Sequence, residues 1–159
     1  MDKLDLKRNL NLSNKEFRSQ VVELEEKINN LDKEFKIKAA DCPLKHLFSE
    51  GMYVREVTVP AGTLVIGKIH KHEHPAFLLK GDAFVITEYD GIKEIKGPCS
   101  FISPAGVKRA VYAKTELIWT TVHLNSDNKR DLKKLEEENI AINYEEFDKF
   151  IANQKQLKQ

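Results

Sequence analysis

Three of the chain's five histidines, His70, His72 and His74, stand at two-residue spacing inside Gly67-Lys-Ile-His-Lys-His-Glu-His-Pro-Ala-Phe-Leu-Leu-Lys-Gly81. Side chains alternate along an extended strand, so this spacing predicts three imidazoles on one face. Neutral imidazole is the commonest protein ligand for zinc, copper, iron and nickel, and three on one face can converge on a single ion. The plain alternative is a solvated hairpin tip before Pro75. The flanks Leu64-Val-Ile and Phe77-Leu-Leu argue against it, because they read as buried strand and histidines leading out of a core tend to point into a cavity. The triplet reads as a site for a divalent transition metal, with Zn, Fe, Mn and Ni as candidates.

The elements that must hold these residues are short strands cut by turn signals between Tyr53 and Leu124. Tyr53–Val59 ends at Pro60-Ala-Gly62, and Thr63–His70 runs into the histidines. Phe77–Lys80 turns at Gly81-Asp82 into Ala83–Tyr89, and Asp90-Gly91 is a strong hairpin signal before Ile92–Ile95. Gly97-Pro98 and Pro104-Ala-Gly106 bracket Cys99–Ser103, and the last pair is Val107–Ala113 and Leu117–Leu124. About eight strands with frequent Gly and Pro turns is the pattern of a closed sandwich or barrel.

Helical patterns flank this region. Ser13-Asn-Lys-Glu16 is a capping box, and beyond it Phe17, Val21, Leu24, Ile28, Leu31 and Phe35 fall on a heptad seam over about 14–36. The seam either pairs two chains in parallel, with Lys27 facing Asp32 of the partner, or lays an amphipathic helix on its own barrel. Residues 39–52 break the helical period with Pro43 and Gly51 and read as a loop, in which His46 stands alone. After the barrel, 131–139 reads as a short charged helix and Asn143-Tyr-Glu-Glu146 as a second capping signal ahead of Phe147, Phe150 and Ile151. Residues 1–12 have no sustained period, and 153–159 form a polar, frayed tail. The expected organisation is an N-terminal extension (1–38), a barrel (39–125) and a C-terminal helical extension (126–159).

At 159 residues the chain is long enough to bury a real core. Charged residues make up 32% but balance to +1, which leaves no global electrostatic footprint for nucleic acid or an acidic membrane. Cys42 and Cys99 follow no metal or redox spacing and read as buried thiols of a reducing compartment. Without a signal-like N-terminus or an eighteen-residue apolar run, the expected location is cytoplasmic.

The Gly-rich strand, His-x-His, an apolar strand ending in Gly, and then Pro-x-Gly before another strand together resemble the two motifs of the cupin superfamily, over roughly residues 50–125. The resemblance implies a mainly β fold, a double-stranded β-helix or jelly-roll barrel, here with an N-terminal amphipathic or coiled-coil helix and short C-terminal helices. It implies one metal inside the barrel, held by two His and a Glu of the first motif and a His of the second. His70 and His72 match the His-x-His pair, and His74 stands where the Glu is expected, seven residues before Gly81. Pro104-Ala-Gly106 matches the second turn, but Arg109 occupies the position of the remaining His. A site of His70, His72 and His74 alone would stay open to water or a ligand, while Arg109 offers a permanent planar cation for a carboxylate or phosphate. His123, closing Trp119-Thr-Thr-Val-His, is a further candidate ligand or acid/base, and Tyr53 and Arg55 share one face of the first strand. At closer range, Pro43-Leu-Lys-His46, Gly51–Glu56, Gly67–His70, Ser103–Gly106 and Trp119–His123 resemble small cupin-type proteins of tailed bacteriophages, which implies a host-cell cytoplasm.

Three functions fit these residues. One is a binding module that holds a divalent metal and captures a small anionic molecule, a host metabolite or defence signal, with Arg109, Tyr53 and Arg55 as ligand contacts. Another is a metal-dependent enzyme of the dioxygenase, isomerase or lyase type that the resemblance implies, with His74 or His123 as general base. The third is a homo-oligomeric assembly protein, a dimer by the seam. No hydrolase triad, phosphate-cradling Gly loop or deaminase signature is present.

Overall fold

The computed structural model describes residues 14–35 and 40–156, with side chains for all of these except residue 14 and residues 31–35. Turn chemistry and alternation divide the barrel into β1 (Leu44–Ser49), β2 (Met52–Val59), β3 (Leu64–Ile66), β4 (Ile69–His70), β5 (His74–Lys80), β6 (Asp82–Thr87), β7 (Gly91–Lys96), β8 (Cys99–Ser103), β9 (Ala110–Ala113) and β10 (Leu117–Leu124). One sheet runs β1-β2-β10-β5-β8 and the other β3-β9-β6-β7. From β5 onward the chain passes repeatedly between the two sheets, and the pairs within each are antiparallel. This is the double-stranded β-helix that the motifs imply.

Residues 44–49, expected as loop, form strand β1. Glu50-Gly51 is a tight turn, with Gly51 at φ 72°, and registers Phe48 opposite Tyr53 and His46 opposite Arg55. A two-residue turn requiring positive φ joins strands as readily as it ends a helix, so the Gly51 signal was ambiguous.

Register decides which residues face inward together. On the five-stranded sheet one face carries His46 and Phe48, then Tyr53, Arg55 and Val57, then Trp119, Thr121 and His123, then His74, Ala76 and Leu78, then Cys99, Phe101 and Ser103. The half of this face built from Val57, Leu78, Trp119 and Cys99 packs with Val59, Ala83, Val85, Ala113 and Leu117 into the barrel core. The other half is polar, and the candidate site lies there. Gly81, at φ +93°, lets β5 turn into β6 directly beneath the Glu116 carbonyl, where any Cβ would collide.

The helix α1 (Asn14–Phe35) lies on its own barrel. Phe17 and Val21 are buried, and Arg18 reaches Glu88 through Nε at 2.6 Å and Nη2 at 3.2 Å while its guanidinium covers the Tyr144 ring at 4.5 Å. Glu25 pairs with the buried Lys108 at 2.9 Å. Two seam residues that a paired coiled coil would require are therefore used within the chain, and Leu24 is exposed. Ser13 of the capping box, the side chains of Leu31, Asp32 and Phe35, residues 1–12 and residues 157–159 lie outside the described residues.

Past β10, Asp131 caps α2 (Leu132–Asn139), its Oδ1 accepting from the backbone N–H groups of Lys133 and Lys134. Strand β11 (Ile140–Ala141) then pairs with β4, and α3 (Tyr144–Gln156) follows. Asn143 Oδ1 accepts from the Glu146 N–H at 2.9 Å and Glu146 Oε2 from the Ile142 N–H at 2.8 Å, a reciprocal cap. Ile69, Ala141 and Phe147 form a second small core that locks these pieces to the barrel end. Among the described residues no helix is long and apolar enough to cross a membrane.

Candidate metal centre

The strand expected to carry all three histidines is broken. His70 ends β4, which pairs with β11, whereas His74 begins β5, which lies between β10 and β8, and residues 71–73 bend between them. The alternation that would put His70, His72 and His74 on one face is lost in that bend. His72 is exposed, edge-on to Phe150 with ring centroids 5.2 Å apart, and stands outside the cluster. Its expected role as a ligand beside His70 and His74 does not fit this geometry.

The third imidazole is His123. β10 registers Thr121 opposite Ala76 of β5, and two residues further along brings His123 level with His74. His70, His74 and His123 each offer one ring nitrogen, and these atoms all lie within 4.8 Å of one another. The rings of His70 and His123 are parallel to within 1° at 5.1 Å, and His74 is tilted against both, at 4.2 and 4.7 Å.

Second contacts decide which nitrogen each ring presents. His74 Nδ1 is 3.0 Å from the His72 carbonyl oxygen, which can only accept, so Nδ1 carries the proton and Nε2 the lone pair. Thr121 Oγ1 donates to the Arg55 carbonyl at 3.4 Å, so it accepts from His123 Nε2 at 3.0 Å, leaving the His123 Nδ1 lone pair free. His70 Nδ1 is buried with no hydrogen-bond partner. The backbone of His70 is held on both sides, by β11 and by the Gly106 N–H donating to its carbonyl at 2.9 Å. Gly106, at φ +80°, is pressed against the Phe147 ring, so the Pro104-Ala-Gly106 turn acts by anchoring His70.

Burial keeps the cluster neutral. It pushes His70 down to about 2, helped by His74, His123 and Arg109, and His123 down to about 3, helped by His74 and Arg55. It also lowers His74, against the raising effect of the bond to the His72 carbonyl. Neutral imidazoles are the form that ligates metal. A tetrahedral ion with nitrogens at about 2.0–2.1 Å sets them about 3.3 Å apart, so each ring would move inward by less than about 1 Å. With a buried His70 ring nitrogen left without a partner and the lone pairs of His74 Nε2 and His123 Nδ1 uncontested, the residues fit a divalent transition metal with at least one open position.

Arg109 sits beside this centre. Its Nη2 donates to Ser103 Oγ at 2.7 Å, Ser103 is the cross-strand neighbour of His74, and Phe101 underlies the guanidinium at 5.8 Å. Burial lowers its pKa from the usual guanidinium value, against the raising effect of Asp90, and among the described residues no carboxylate is in ion-pair contact with it. Tyr53 is buried and stacks on His123 at 5.9 Å, and Arg55 shares its face.

His46, which as a lone loop histidine drew no role from the sequence, bonds through Nδ1 to the Tyr53 hydroxyl at 2.8 Å and stacks on that ring at 5.9 Å. Once 44–49 is a strand, alternation puts His46 on the inward face with Arg55. That is the signal that could have found it. Thr121 and Ser103, which orient His123 and Arg109, carry no signal of their own in the sequence. Beside His123 opens a cavity of about 450 Å³, bounded also by His72, Glu73, Asn125, Lys129 and Glu138.

The fold and the histidine triad define a cupin-type barrel with a candidate metal centre. Solved structures similar to it include an RmlC-like cupin family protein with a double-stranded β-helix fold from Methanocaldococcus jannaschii, at 19% identity over 64% of this chain and 92% of that one, TM-score 0.45. A cupin domain from Bordetella pertussis is similar at 18% identity over 56% and 98%, TM-score 0.44, and ectoine synthase from P. lautus at 13% over 54% and 65%, TM-score 0.47. No protein-family model matches the chain, and no curated protein does.

Proposed function

We propose that this protein binds a divalent transition metal through His70, His74 and His123 and captures a small molecule bearing an anionic group between that centre and Arg109. The observation that carries the reading is the convergence of three imidazoles, in which a buried His70 ring nitrogen has no hydrogen-bond partner and the lone pairs of His74 and His123 are uncontested. A buried polar atom without a partner costs on the order of 1–3 kcal/mol, which metal ligation through His70 Nδ1 would remove. When bound, the ion would supply Lewis acidity at its open position. The chain's own residues do the rest: the His72 carbonyl and Thr121 orient imidazoles, Ser103 aims Arg109, and the half-buried guanidinium, with no carboxylate in ion-pair contact among the described residues, offers two-point binding to an oxyanion. Arg55 would add positive charge from the neighbouring strand.

Turnover is the second reading, favoured by the Tyr53 hydroxyl held by His46 beside His123, a positioned O–H within the polar half of the sheet. On this reading His74 and His123 are ligands, so the general base expected of them would be sought elsewhere. We further propose a homo-oligomer, a dimer in the simplest case, supported by the exposed apolar residues Leu64, Phe84 and Tyr112, which share one face of the four-stranded sheet. The resemblance of Pro43–His46, Gly51–Glu56 and Trp119–His123 to small cupin-type proteins of tailed bacteriophages would make this a host-cytoplasmic protein whose ligand is a host metabolite or defence signal.

Native mass spectrometry with elemental analysis, on protein purified without chelators, tests the reading. A stoichiometric transition metal together with a small adduct is the expected result. Protein that carries no metal and takes up none on addition of Zn²⁺, Mn²⁺, Fe²⁺ or Ni²⁺ overturns it.

A further inference from the structure

Two guanidiniums stand on the inward face beside the histidines, and neither is answered by an acid. The Arg109 guanidinium is fixed at β8 by Ser103 at 2.7 Å, and Asp90, whose charge is felt at Arg109, is itself engaged by Lys93 at 2.6 Å. Arg55 rises from β2; its carbonyl accepts from Thr121, but its guanidinium makes no hydrogen bond or ion pair among the described residues. None of the residues that β1, β2, β10, β5 and β8 turn to this face is Asp or Glu. The register sets Arg55 opposite Thr121, Thr121 opposite Ala76 and Ala76 opposite Phe101, so only two small side chains stand between Arg55 and the ring that underlies Arg109. Burial is the main cause that lowers all three histidines of the triad; beyond it, Arg109 acts on His70 and His74, and Arg55 on His70 and His123. The two cations thus flank the triad, one on the β8 side and one on the β2 side.

A half-buried cation without a counter-charge is destabilising, and two of them beside a centre that would itself carry a divalent ion call for more negative charge than one carboxylate brings. In the sheet order, β2 and β8 are three strand spacings apart, about 14 Å between backbones, so a single carboxylate gripped by Arg109 leaves Arg55 unanswered. Both arginines are partly exposed although they belong to the inward face, so solvent, and hence a ligand, reaches each of them. Resting on the capture reading above, we infer that the ligand is a small dianion of the dicarboxylate class, with one oxyanion group directed to Arg109 and the histidine centre and a second, separate one to Arg55. Each guanidinium fork matches a carboxylate at two points, which a lysine at either position would not do. Arg55 is thus a specificity element, which selects acids with two charged ends over acids with one.

The test is isothermal titration calorimetry of the full chain loaded with Zn²⁺, using straight-chain dicarboxylates of four to seven carbons and the monocarboxylates of the same lengths, with bound zinc measured before and after. The best dicarboxylate is expected to bind at least about tenfold tighter than any of the monocarboxylates. Arg55→Gln should weaken that dicarboxylate about tenfold, to the level of the monocarboxylates, whereas Arg55→Lys, which keeps the charge, should hold a preference of at least about threefold. Equal affinities in the unmodified chain, a preference that survives Arg55→Gln, or the same loss in Arg55→Lys as in Arg55→Gln overturn the inference while leaving anion capture standing. If neither class of acid binds, capture itself fails, and the inference with it.

Discussion

The histidine geometry makes a sharp contrast between two neighbouring positions. His72→Ala removes an exposed side chain that touches Phe150, whereas His74→Ala removes a 2%-exposed imidazole whose Nε2 faces the centre. With free Zn²⁺ at a hundred times its dissociation constant, binding to the folded chain alone adds about 2.7 kcal/mol of stability. For a chain of this size that is about 5–10 °C in Tm. If losing one of three ligands weakens binding about a hundredfold, the increment falls to about 0.4 kcal/mol, or about 1 °C. The cavity left by His74→Ala lowers Tm with and without metal, so it cancels when each variant is compared with its own chelated form. Thermal melts at neutral pH in Zn²⁺ and in chelator, with metal content measured alongside, should show a full increment for His72→Ala and almost none for His74→Ala. Loss of the increment in both, or its retention in His74→Ala, would refute the assignment of His70, His74 and His123. The alternation of the sequence alone leads to the opposite expectation for His72.

Metal-free stability should depend on pH through the same cluster. His70 and His123 are held at about 2 and about 3 when folded against 6.5 for an ordinary histidine, so the unfolded chain takes up protons that the folded chain refuses. Stability is therefore complete above about pH 6.5 and declines as pH falls towards 3, by up to about 1.4 kcal/mol per unit for each histidine; urea midpoints that stay flat from pH 7 to 5 would contradict this. Arg18→Ala strips the bidentate partner from Glu88, whose side chain is 1% exposed, and should cost roughly 3 kcal/mol. A loss below about 1 kcal/mol by chemical denaturation would mean that α1 is not docked through this pair. Gly81→Ala drives a Cβ into the Glu116 carbonyl and to 2.8 Å from Leu117 Cδ2, so it should cost more than about 2 kcal/mol. Gly62→Ala, at φ +78° but in open space, should cost only about 1 kcal/mol, and equal losses would remove the steric account of Gly81.

What the sequence determined by itself is local. Gly/Pro turn signals and period-two apolar runs located β2 and β5 to β10 to within a few residues, and Asp131 and the Asn143–Glu146 pair marked the starts of the two C-terminal helices, because side-chain alternation and capping act over two to four residues. The motif resemblance carried the jelly roll and brought attention to His70, His74 and Arg109. Tertiary structure decided which histidines meet. His72 leaves the cluster because β4 is bound to β11, seventy residues away, and the chain must bend before β5 can enter the other sheet. His123 enters it because two cross-strand registers align it with His74 and Tyr53. His46 turned inward only once residues 44–49 had β2 to pair with. The heptad seam was legible, but its partner was not, since an apolar stripe buries itself against whichever surface is complementary. Here Phe17 and Val21 found their own barrel, with Glu88 and Lys108 supplying the charges that hold α1 down.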